Sequence, residues 1–228
     1  MNSKNITYDQ LCGLIDHTFL KPFGTEADIE KLCAEAAKYQ FAMVAINPAE
    51  VETCVQLLKG TGVRTGAAIG FPLGQNTSEV KAFEISDSIR KGATEIDMVI
   101  NLRALQKGHV HIVRNEIEDM VAACKPSGVI SKVILETCYL TDDQKRLVCQ
   151  IAKEAGVDFV KTSTGFGSAG ATVEDIRLMR SVVGPEMGVK ASGSVRDLTT
   201  ALAMIDAGAT RIGTSSGVKI VTEFKNLR

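Results

Sequence analysis

A short joint between a helix and a strand recurs three times along the chain, and it constrains the fold more than any other feature. Residues 91–96, 155–160 and 207–212 each carry a glycine behind a helical stretch, then a small residue, then an apolar run of strand character. Glycine ends a helix readily because it adopts the left-handed conformation without steric strain. Repeated short joints of this kind predict a parallel sheet whose strands are connected by crossover helices.

The number of strands distinguishes between the two common parallel architectures. Seven strands are plain in the pattern, and residues 14–18 (Leu-Ile-Asp-His-Thr) are the only candidate for an eighth, ahead of the first long helix. Eight strand–helix units in 228 residues fit the lower part of the barrel size range, about 200 to over 400 residues. The alternative is an open doubly wound sheet, but no Gly-x-Gly-x-x-Gly follows an early strand. We therefore predict a single-domain (β/α)8 TIM barrel over residues 1–228.

Helix-capping residues mark most element boundaries. Thr25, with Asp28 at the capping-box distance, predicts a helix that runs to about Tyr39, and Asn47 before Pro48 predicts the start of another. The remaining predicted helix starts are Asn76 or Thr77, Thr141, Thr172, and Ser194 with Asp197. The predicted strands are residues 14–18, 41–46, 64–69, 95–100, 132–137, 157–161, 187–190 and 211–214.

Composition argues against several classes of partner. The formal net charge of −1 gives no reason to expect a nucleic acid or a membrane surface as partner. No apolar run reaches the roughly 18–20 residues of a membrane span, and residues 1–5 lack an apolar signal core. The six cysteines contain no Cys-x-x-Cys pair, which predicts reduced thiols in the cytoplasm. The sequence does not determine whether the chain forms a homo-oligomer.

Two lysines carry the strongest chemical signal. Lys161 ends an apolar strand and is followed by Thr-Ser-Thr-Gly, and Lys190 repeats the arrangement ahead of Ala-Ser-Gly. A free lysine with a pKa of about 10.4 is neutral in roughly one molecule in two thousand at pH 7, whereas a pKa of about 7 makes half of it neutral. Burial and a second ammonium both lower the pKa of an amine. We therefore predict an enzyme in which neutral Lys161 attacks an aldehyde or ketone to form a Schiff base.

Other polar residues are predicted at the same end of the barrel, where the active sites of this fold lie. Asp97 is suited to hold Lys190 charged and to direct proton transfer, and His17 is suited to orient Asp16. The full set of strand-end candidates is Asp16, Asn47, Asp97, Glu136, Lys161, Lys190, Gly213, Thr214, Ser215 and Ser216.

Two small-residue loops predict a phosphate site. Residues 191–196 (Ala-Ser-Gly-Ser-Val-Arg) and 213–217 (Gly-Thr-Ser-Ser-Gly) both join a strand to a helix late in the chain. Small residues expose backbone N–H groups, serines add donors, and helix N-termini favour anions. The loops after strands 7 and 8 are the recurrent phosphate position of these barrels, although ordinary tight turns remain the alternative.

No metal or cofactor site is predicted. His109 and His111 have a spacing that could bind a metal, but no third ligand is evident, and a solvated loop is the better interpretation.

Taken together, the motifs resemble those of the deoxyribose-phosphate aldolase family, a class I (Schiff-base) aldolase family. The resemblance covers nearly the whole chain, and the lysine pair is its most specific part. The matching segments are LIDHT at residues 14–18, IGFPLG at 69–74, EIDMVIN at 95–101, VKTSTG at 160–165 and VKASG at 189–193.

The resemblance implies a substrate and a role for each matching residue. The substrate would be 2-deoxy-D-ribose 5-phosphate, cleaved reversibly to glyceraldehyde 3-phosphate and acetaldehyde without a cofactor. Lys161 would form the Schiff base, while Lys190 and Asp97 would tune it and move protons. The implied substrate contacts are Asp16, Thr18 and Thr164. The implied phosphate contacts are Gly165, Gly193, Ser194, Gly213, Ser215 and Ser216.

The sequence departs from the family pattern at two places. Ser194 stands where members usually have a second glycine, so the phosphate loop could be shaped differently or gain a donor. Some members end in a tyrosine-bearing tail that assists proton transfer, whereas this sequence ends Asn226-Leu227-Arg228.

Two other functions remain open on the residues alone. One is a Schiff-base aldolase for another phosphorylated sugar or a keto acid, in which Arg196 is the evident partner for a carboxylate. The other is a non-catalytic sugar-phosphate-binding barrel, against which the presence of Lys161, Lys190 and Asp97 argues.

Overall fold

Eight parallel strands close into a barrel in the computed structural model, which describes residues 3–227. Each strand pairs with the next along the chain, and the first pairs with the eighth. The strands are β1 Ile15–Thr18, β2 Met43–Ile46, β3 Arg64–Ile69, β4 Glu95–Val99, β5 Ile130–Ile134, β6 Phe159–Lys161, β7 Gly188–Ser192 and β8 Arg211–Thr214. The predicted (β/α)8 barrel is confirmed, and the alternative of an open sheet is wrong.

Helices connect the strands on the outside. They are α1 Tyr8–Cys12, α2 Glu26–Tyr39, α3 Val51–Leu57, α4 Ser78–Arg90, α5 Leu102–Gln106, α6 Val110–Cys124, α7 Asp142–Ala155, α8 Val173–Val183, α9 Leu198–Asp206 and α10 Gly217–Asn226. Short 3-10 helices cover Ser3–Asn5, Pro48–Glu50, Lys125–Ser127 and Thr137–Tyr139. None of the helices described in residues 3–227 combines the length and the apolar composition of a membrane span. Met1, Asn2 and Arg228, which the predictions for the two termini included, lie outside the described residues.

The predicted capping residues act largely as expected. Thr25 and Asp28 form the complete capping box of α2, and the hydroxyls of Thr77, Thr141 and Thr172 each accept a backbone N–H at the start of their helices. Asn47 makes no side-chain cap, and the segment after it begins as a 3-10 helix. The cap of α9 is Asp197 rather than Ser194.

The fifth strand begins two residues and ends three residues before the predicted one. The apolar run at 132–137 indicated a strand there, whereas β5 spans Ile130–Ile134. The backbone N–H groups of Leu135 and Thr137 still donate to β6 and the residue after it, at 2.9 and 3.0 Å. The strand ends because Glu136 adopts a left-handed conformation (φ 55°, ψ 64°), which breaks the ladder.

Alternation along the strands separates two environments. Residues such as Val133, Val160 and Val189 belong to the apolar core cluster. The residues next to them, Lys132, Lys161 and Lys190, are buried without belonging to that cluster. Because successive strand residues point to opposite faces, the lysines project into the barrel while the valines face the helices.

Candidate active site

Lys161 and Lys190 lie side by side inside the barrel. Lys161 is the last residue of β6, and the parallel register pairs it with Lys190, the third of the five residues of β7. The Nζ atoms of Lys161 and Lys190 lie 2.8 and 2.7 Å from the same atom, Oδ2 of Asp97. The two lysines are 3% and 0% exposed. The structure thus brings together the two lysines and the aspartate that the sequence singles out.

A second carboxylate contacts only one of these lysines. Oδ2 of Asp16 lies 2.5 Å from Nζ of Lys190, and Oδ1 of Asp16 lies 2.7 Å from Arg211. Lys190 therefore has two carboxylate partners, whereas Lys161 has only Asp97 among the residues described. Opposite charges stabilise an ammonium, so this asymmetry favours the charged form of Lys190 over that of Lys161.

A third buried lysine completes the arrangement. Nζ of Lys132, on β5, lies 2.7 Å from Oδ1 of Asp97 and also forms an ion pair with Glu95. Glu95 in turn contacts Arg211 at 3.4 Å and the half-exposed Arg64 at 3.3 Å. Asp97 is thus held at both oxygens, with Lys132 on one side and the two predicted lysines on the other.

The charges of this network balance only when one cation is neutral. Its fully buried members in residues 3–227 are three carboxylates and four cations, namely Asp16, Glu95, Asp97, Lys132, Lys161, Lys190 and Arg211. An uncompensated charge in a low-dielectric interior is strongly unfavourable. Lys161 has the fewest carboxylate partners, so it is the cation whose proton the network binds least firmly.

The pKa values follow from these contacts. Burial lowers the pKa of Lys161 to about 8; Asp97 opposes the shift, and the ammonium groups of Lys190 and Lys132 add to it. Burial alone would raise the pKa of Asp97, but the three lysines hold it well below its usual range. The site therefore combines an ionised carboxylate with an amine that is neutral in a useful fraction of molecules near pH 7.

Lys161 opens into a cavity of about 480 Å³ at the carboxyl ends of the strands. Its wall includes most residues predicted for substrate and phosphate, namely Thr18, Thr164, Gly165, Gly193, Ser194, Gly213 and Ser215. Asp16, Asp97 and Lys190 lie behind Lys161 and are absent from the lining, as is Ser216, the residue before α10. Arg196, the predicted carboxylate partner of the rival keto-acid function, also lies on the wall.

The phosphate-type loops are shaped by close backbone packing. Gly193 and Ser194 both have positive φ values, 78° and 64°. A Cβ atom added to Gly170 would lie 2.3 Å from the carbonyl carbon of Gly193, so the β6–α8 loop packs directly on the β7–α9 loop. The backbone N–H of Ala171 stabilises this contact by donating to the carbonyl oxygens of Ser192 and Gly193, both at 3.1 Å.

Gly213 has a function beyond its predicted place in the phosphate loop. A Cβ at this position would lie 2.9 Å from Cε of Lys190, a distance that real Cβ contacts do not show. Because Gly213 has no side chain, Lys190 has the room to extend between Asp16 and Asp97.

Comparison with known proteins adds the family. A sequence model described as DeoC/LacD family aldolase matches residues 11–223. The chain belongs to this aldolase family. It is 74% identical to a deoxyribose-phosphate aldolase of Bacteroides thetaiotaomicron over 224 residues, covering 98% of this chain and 94% of the relative. It is 55% identical to one of Thermococcus gammatolerans over 214 residues, covering 93% and 95%.

A solved structure agrees with this DeoC/LacD family assignment. The tetrameric deoxyribose-phosphate aldolase of Aeropyrum pernix superposes with a TM-score of 0.90 at 37% identity, covering 97% of this chain and 94% of that one. The similarity extends over the whole barrel, including all eight strands that carry the site.

Three members of the buried network in this DeoC/LacD aldolase were missed by sequence reasoning. Glu95, Lys132 and Arg211 lie within the predicted strands but were given no role. The signal was present, since Glu95 precedes Asp97 by two residues and Arg211 precedes Gly213 by two, the period of a strand. Attention to strand ends alone overlooks this deeper layer.

No hydrogen bond or ion pair joins the three histidines of this chain to Lys161 or Lys190 within residues 3–227. Nε2 of His17 forms a 2.8 Å contact with Glu35, not with Asp16. His109 and His111 are both exposed; His109 lies in the loop before α6, as predicted, whereas His111 is the second residue of that helix. Across residues 3–227 no cluster of three or more metal-ligating side chains forms.

Proposed function

We propose that this chain cleaves 2-deoxy-D-ribose 5-phosphate reversibly to glyceraldehyde 3-phosphate and acetaldehyde through a Schiff base on Lys161. The observation that carries the proposal is the buried amine of Lys161, which faces a cavity and shares Asp97 with the better-paired Lys190. The names of the curated relatives supply the substrate. The chain is thus a lyase.

The first step uses the neutral amine. Nζ of Lys161 adds to the aldehyde carbon of the open-chain sugar, and loss of water gives an iminium. About one tenth of Lys161 is neutral at pH 7 for a pKa of about 8. A lysine with its ordinary pKa would supply about two hundredfold less nucleophile.

The second step breaks the C2–C3 bond. The C3 hydroxyl gives up its proton, the C3–C2 electron pair moves into the iminium, and glyceraldehyde 3-phosphate leaves. We assign the proton relay to Asp97 and Lys190, acting through a water because both lie behind Lys161. Protonation of the remaining enamine and addition of water release acetaldehyde and restore the amine. The iminium is the electrophile, so the proposal requires neither metal nor cofactor.

The substrate phosphate fits the opposite part of the cavity. Gly165, Gly193, Ser194, Gly213 and Ser215 line it, and the backbone N–H groups of Ser194 and Ser215 donate to no protein acceptor in residues 3–227. Ser216 would act from the start of α10, whose N-terminus favours an anion. Thr18, Thr164 and the buried Asp16 stay proposals as substrate contacts.

We further propose a cytoplasmic homo-oligomer. All six cysteines are free, in keeping with a reducing compartment. Val80 and Phe83, one turn apart on α4, are 46% and 67% exposed, and an apolar patch of this kind suits contact with a second copy. The Aeropyrum pernix relative is tetrameric. Sedimentation velocity would measure the mass in solution.

Borohydride trapping tests the proposed activity. Reduction in the presence of deoxyribose 5-phosphate should leave a stable adduct, and peptide mass spectrometry should locate it on Lys161. The chemically matched but exposed Lys219 should stay unmodified. Acetaldehyde release separates this reaction from cleavage of a keto-acid phosphate, which would release a keto acid. An adduct elsewhere, or none, would refute the proposal.

A further inference from the structure

Glu136 has an unusual backbone for a residue with a side chain. It follows the end of β5 with φ 55° and ψ 64°, the left-handed region that favours glycine. This conformation is sterically unfavourable for a residue that carries a Cβ atom. The residue is 2% exposed, so its carboxylate is buried as well. A strained backbone and a buried charge persist together only where surrounding contacts compensate for both.

Most of the compensating contacts come from Thr164, and the Cys138 thiol adds a weaker one at 4.0 Å from Oε1 of Glu136. The backbone N–H of Thr164 donates to both carboxylate oxygens of Glu136 at 3.3 Å, and the Thr164 hydroxyl donates to Oε2. Burial raises the pKa of Glu136, and the hydrogen bonds from Thr164 oppose this rise. Because each of these groups donates a hydrogen, both carboxylate oxygens of Glu136 act as acceptors.

The hydroxyl of Thr164 connects Glu136 to the residues of the cavity wall through hydrogen bonds. It accepts the backbone N–H of Phe166 at 3.0 Å while donating to Glu136. Phe166 stacks edge to face with Phe71, with ring centroids 5.4 Å apart. Thr164, Gly165 and Phe166 are consecutive lining residues of the cavity. Because the Thr164 hydroxyl donates its hydrogen to Glu136, it has none to donate to a substrate.

We propose that Glu136 is a positioning residue for the phosphate end of the site, acting by holding Thr164 and so fixing the wall formed by Gly165 and Phe166. The inference rests on the proposed function, because it concerns the phosphate of that substrate. Thr164 then contributes its backbone and methyl group to the wall, and its hydroxyl serves the protein.

A comparison of two substrates tests this role. Glu136→Gln replaces one acceptor oxygen by an NH2 group, which opposes the Thr164 donors without changing the side-chain shape. We expect KM for deoxyribose 5-phosphate to rise about tenfold, while KM for unphosphorylated deoxyribose and borohydride trapping on Lys161 change less than twofold. The exposed Glu186→Gln, which makes the same chemical change, should match wild type for both substrates.

Other outcomes have defined meanings. An unchanged KM for the phosphorylated substrate, or an equal loss with both substrates, would overturn the positioning role. If Glu136→Gln fails to fold, Glu136→Asp decides, because it keeps the carboxylate but shortens its reach to Thr164; it should show the same selective rise in KM. A wild-type protein that releases no acetaldehyde would refute the proposed function instead, before any variant is compared.

Discussion

Lys161 and Lys190 share a single oxygen, Oδ2 of Asp97, at 2.8 and 2.7 Å, and among residues 3–227 only Lys190 has a further carboxylate, Asp16, at 2.5 Å. If the two lysines had the same neighbours, each would be equally ready to lose its proton and become the nucleophile. The second carboxylate removes that symmetry by stabilising the ammonium form of Lys190. The choice of nucleophile therefore depends on Asp16, which lies outside the cavity lining.

Lys190→Leu should cut turnover at pH 7 at least a hundredfold. The change removes a cation that lowers the pKa of Lys161 and leaves Asp97 free to hold the Lys161 ammonium, so the neutral fraction falls. It also removes part of the proton relay, a contribution of about 10²–10⁴. Steady-state assay at pH 7 and pH 9 should show partial recovery at the higher pH. Near-normal turnover would exclude Lys190 from the mechanism.

Lys161→Met should abolish turnover and stabilise the fold. Its lowered pKa makes charged Lys161 unfavourable in the native state, so removing it should raise the free energy of unfolding at pH 7 by about 1–3 kcal/mol. The cost is complete below pH 8 and disappears as the pH rises toward 10.5, because the unfolded chain binds the extra proton between these values. Urea denaturation at pH 7 measures the change. A clear loss of stability would contradict the charge balance.

Lys132→Met provides the opposite case with the same chemical change. It leaves Oδ1 of Asp97 and Oε2 of Glu95 without their cation, and breaking a buried pair in this way costs about 3–5 kcal/mol. We expect a large loss of stability by urea denaturation, next to the gain for Lys161→Met. Equal effects of the two substitutions would show that the buried charges are not balanced as described.

Ser194→Gly tests the departure from the family pattern. Ser194 has φ 64°, and glycine adopts this conformation without the steric cost that serine bears. The free energy of unfolding should rise by up to about 1 kcal/mol, the steric gain being partly offset by the chain entropy of glycine. Ser194→Ala is the control, since it keeps the strain and removes the hydroxyl. If both variants raise KM for the phosphorylated substrate, the serine hydroxyl binds the phosphate; if neither does, the hydroxyl makes no contribution to binding.

The lysine pair could be predicted because its signal is local. Each lysine follows an apolar run and precedes small or hydroxyl residues, so their shared position in the barrel follows from the repeat. The roles of Lys132 and Arg211 could not be read in the same way. Their contacts with Asp97 and Asp16 depend on the register between strands, which is set by closure of the barrel.

The end of β5 shows a second limit of sequence reasoning. The run at 132–137 is buried and keeps hydrogen bonding to the neighbouring strand, so it has the character of a strand to its last residue. β5 nevertheless ends at Ile134, ahead of Glu136, whose left-handed backbone is held by carboxylate contacts with Thr164, 28 residues further along the chain. A left-handed glutamate stabilised by a distant residue leaves no local signal.

Titration of the Lys161 side chain measures the property on which the proposed Schiff-base chemistry depends. With 13C-labelled lysine and Lys161→Met to assign the resonance, NMR should show a titration midpoint near pH 8. Lys219, on the surface, serves as the internal reference. A midpoint for Lys161 near 10.5 would mean that burial and the neighbouring cations do not lower its pKa. It would contradict the assignment of Lys161 as a nucleophile that is partly neutral near pH 7.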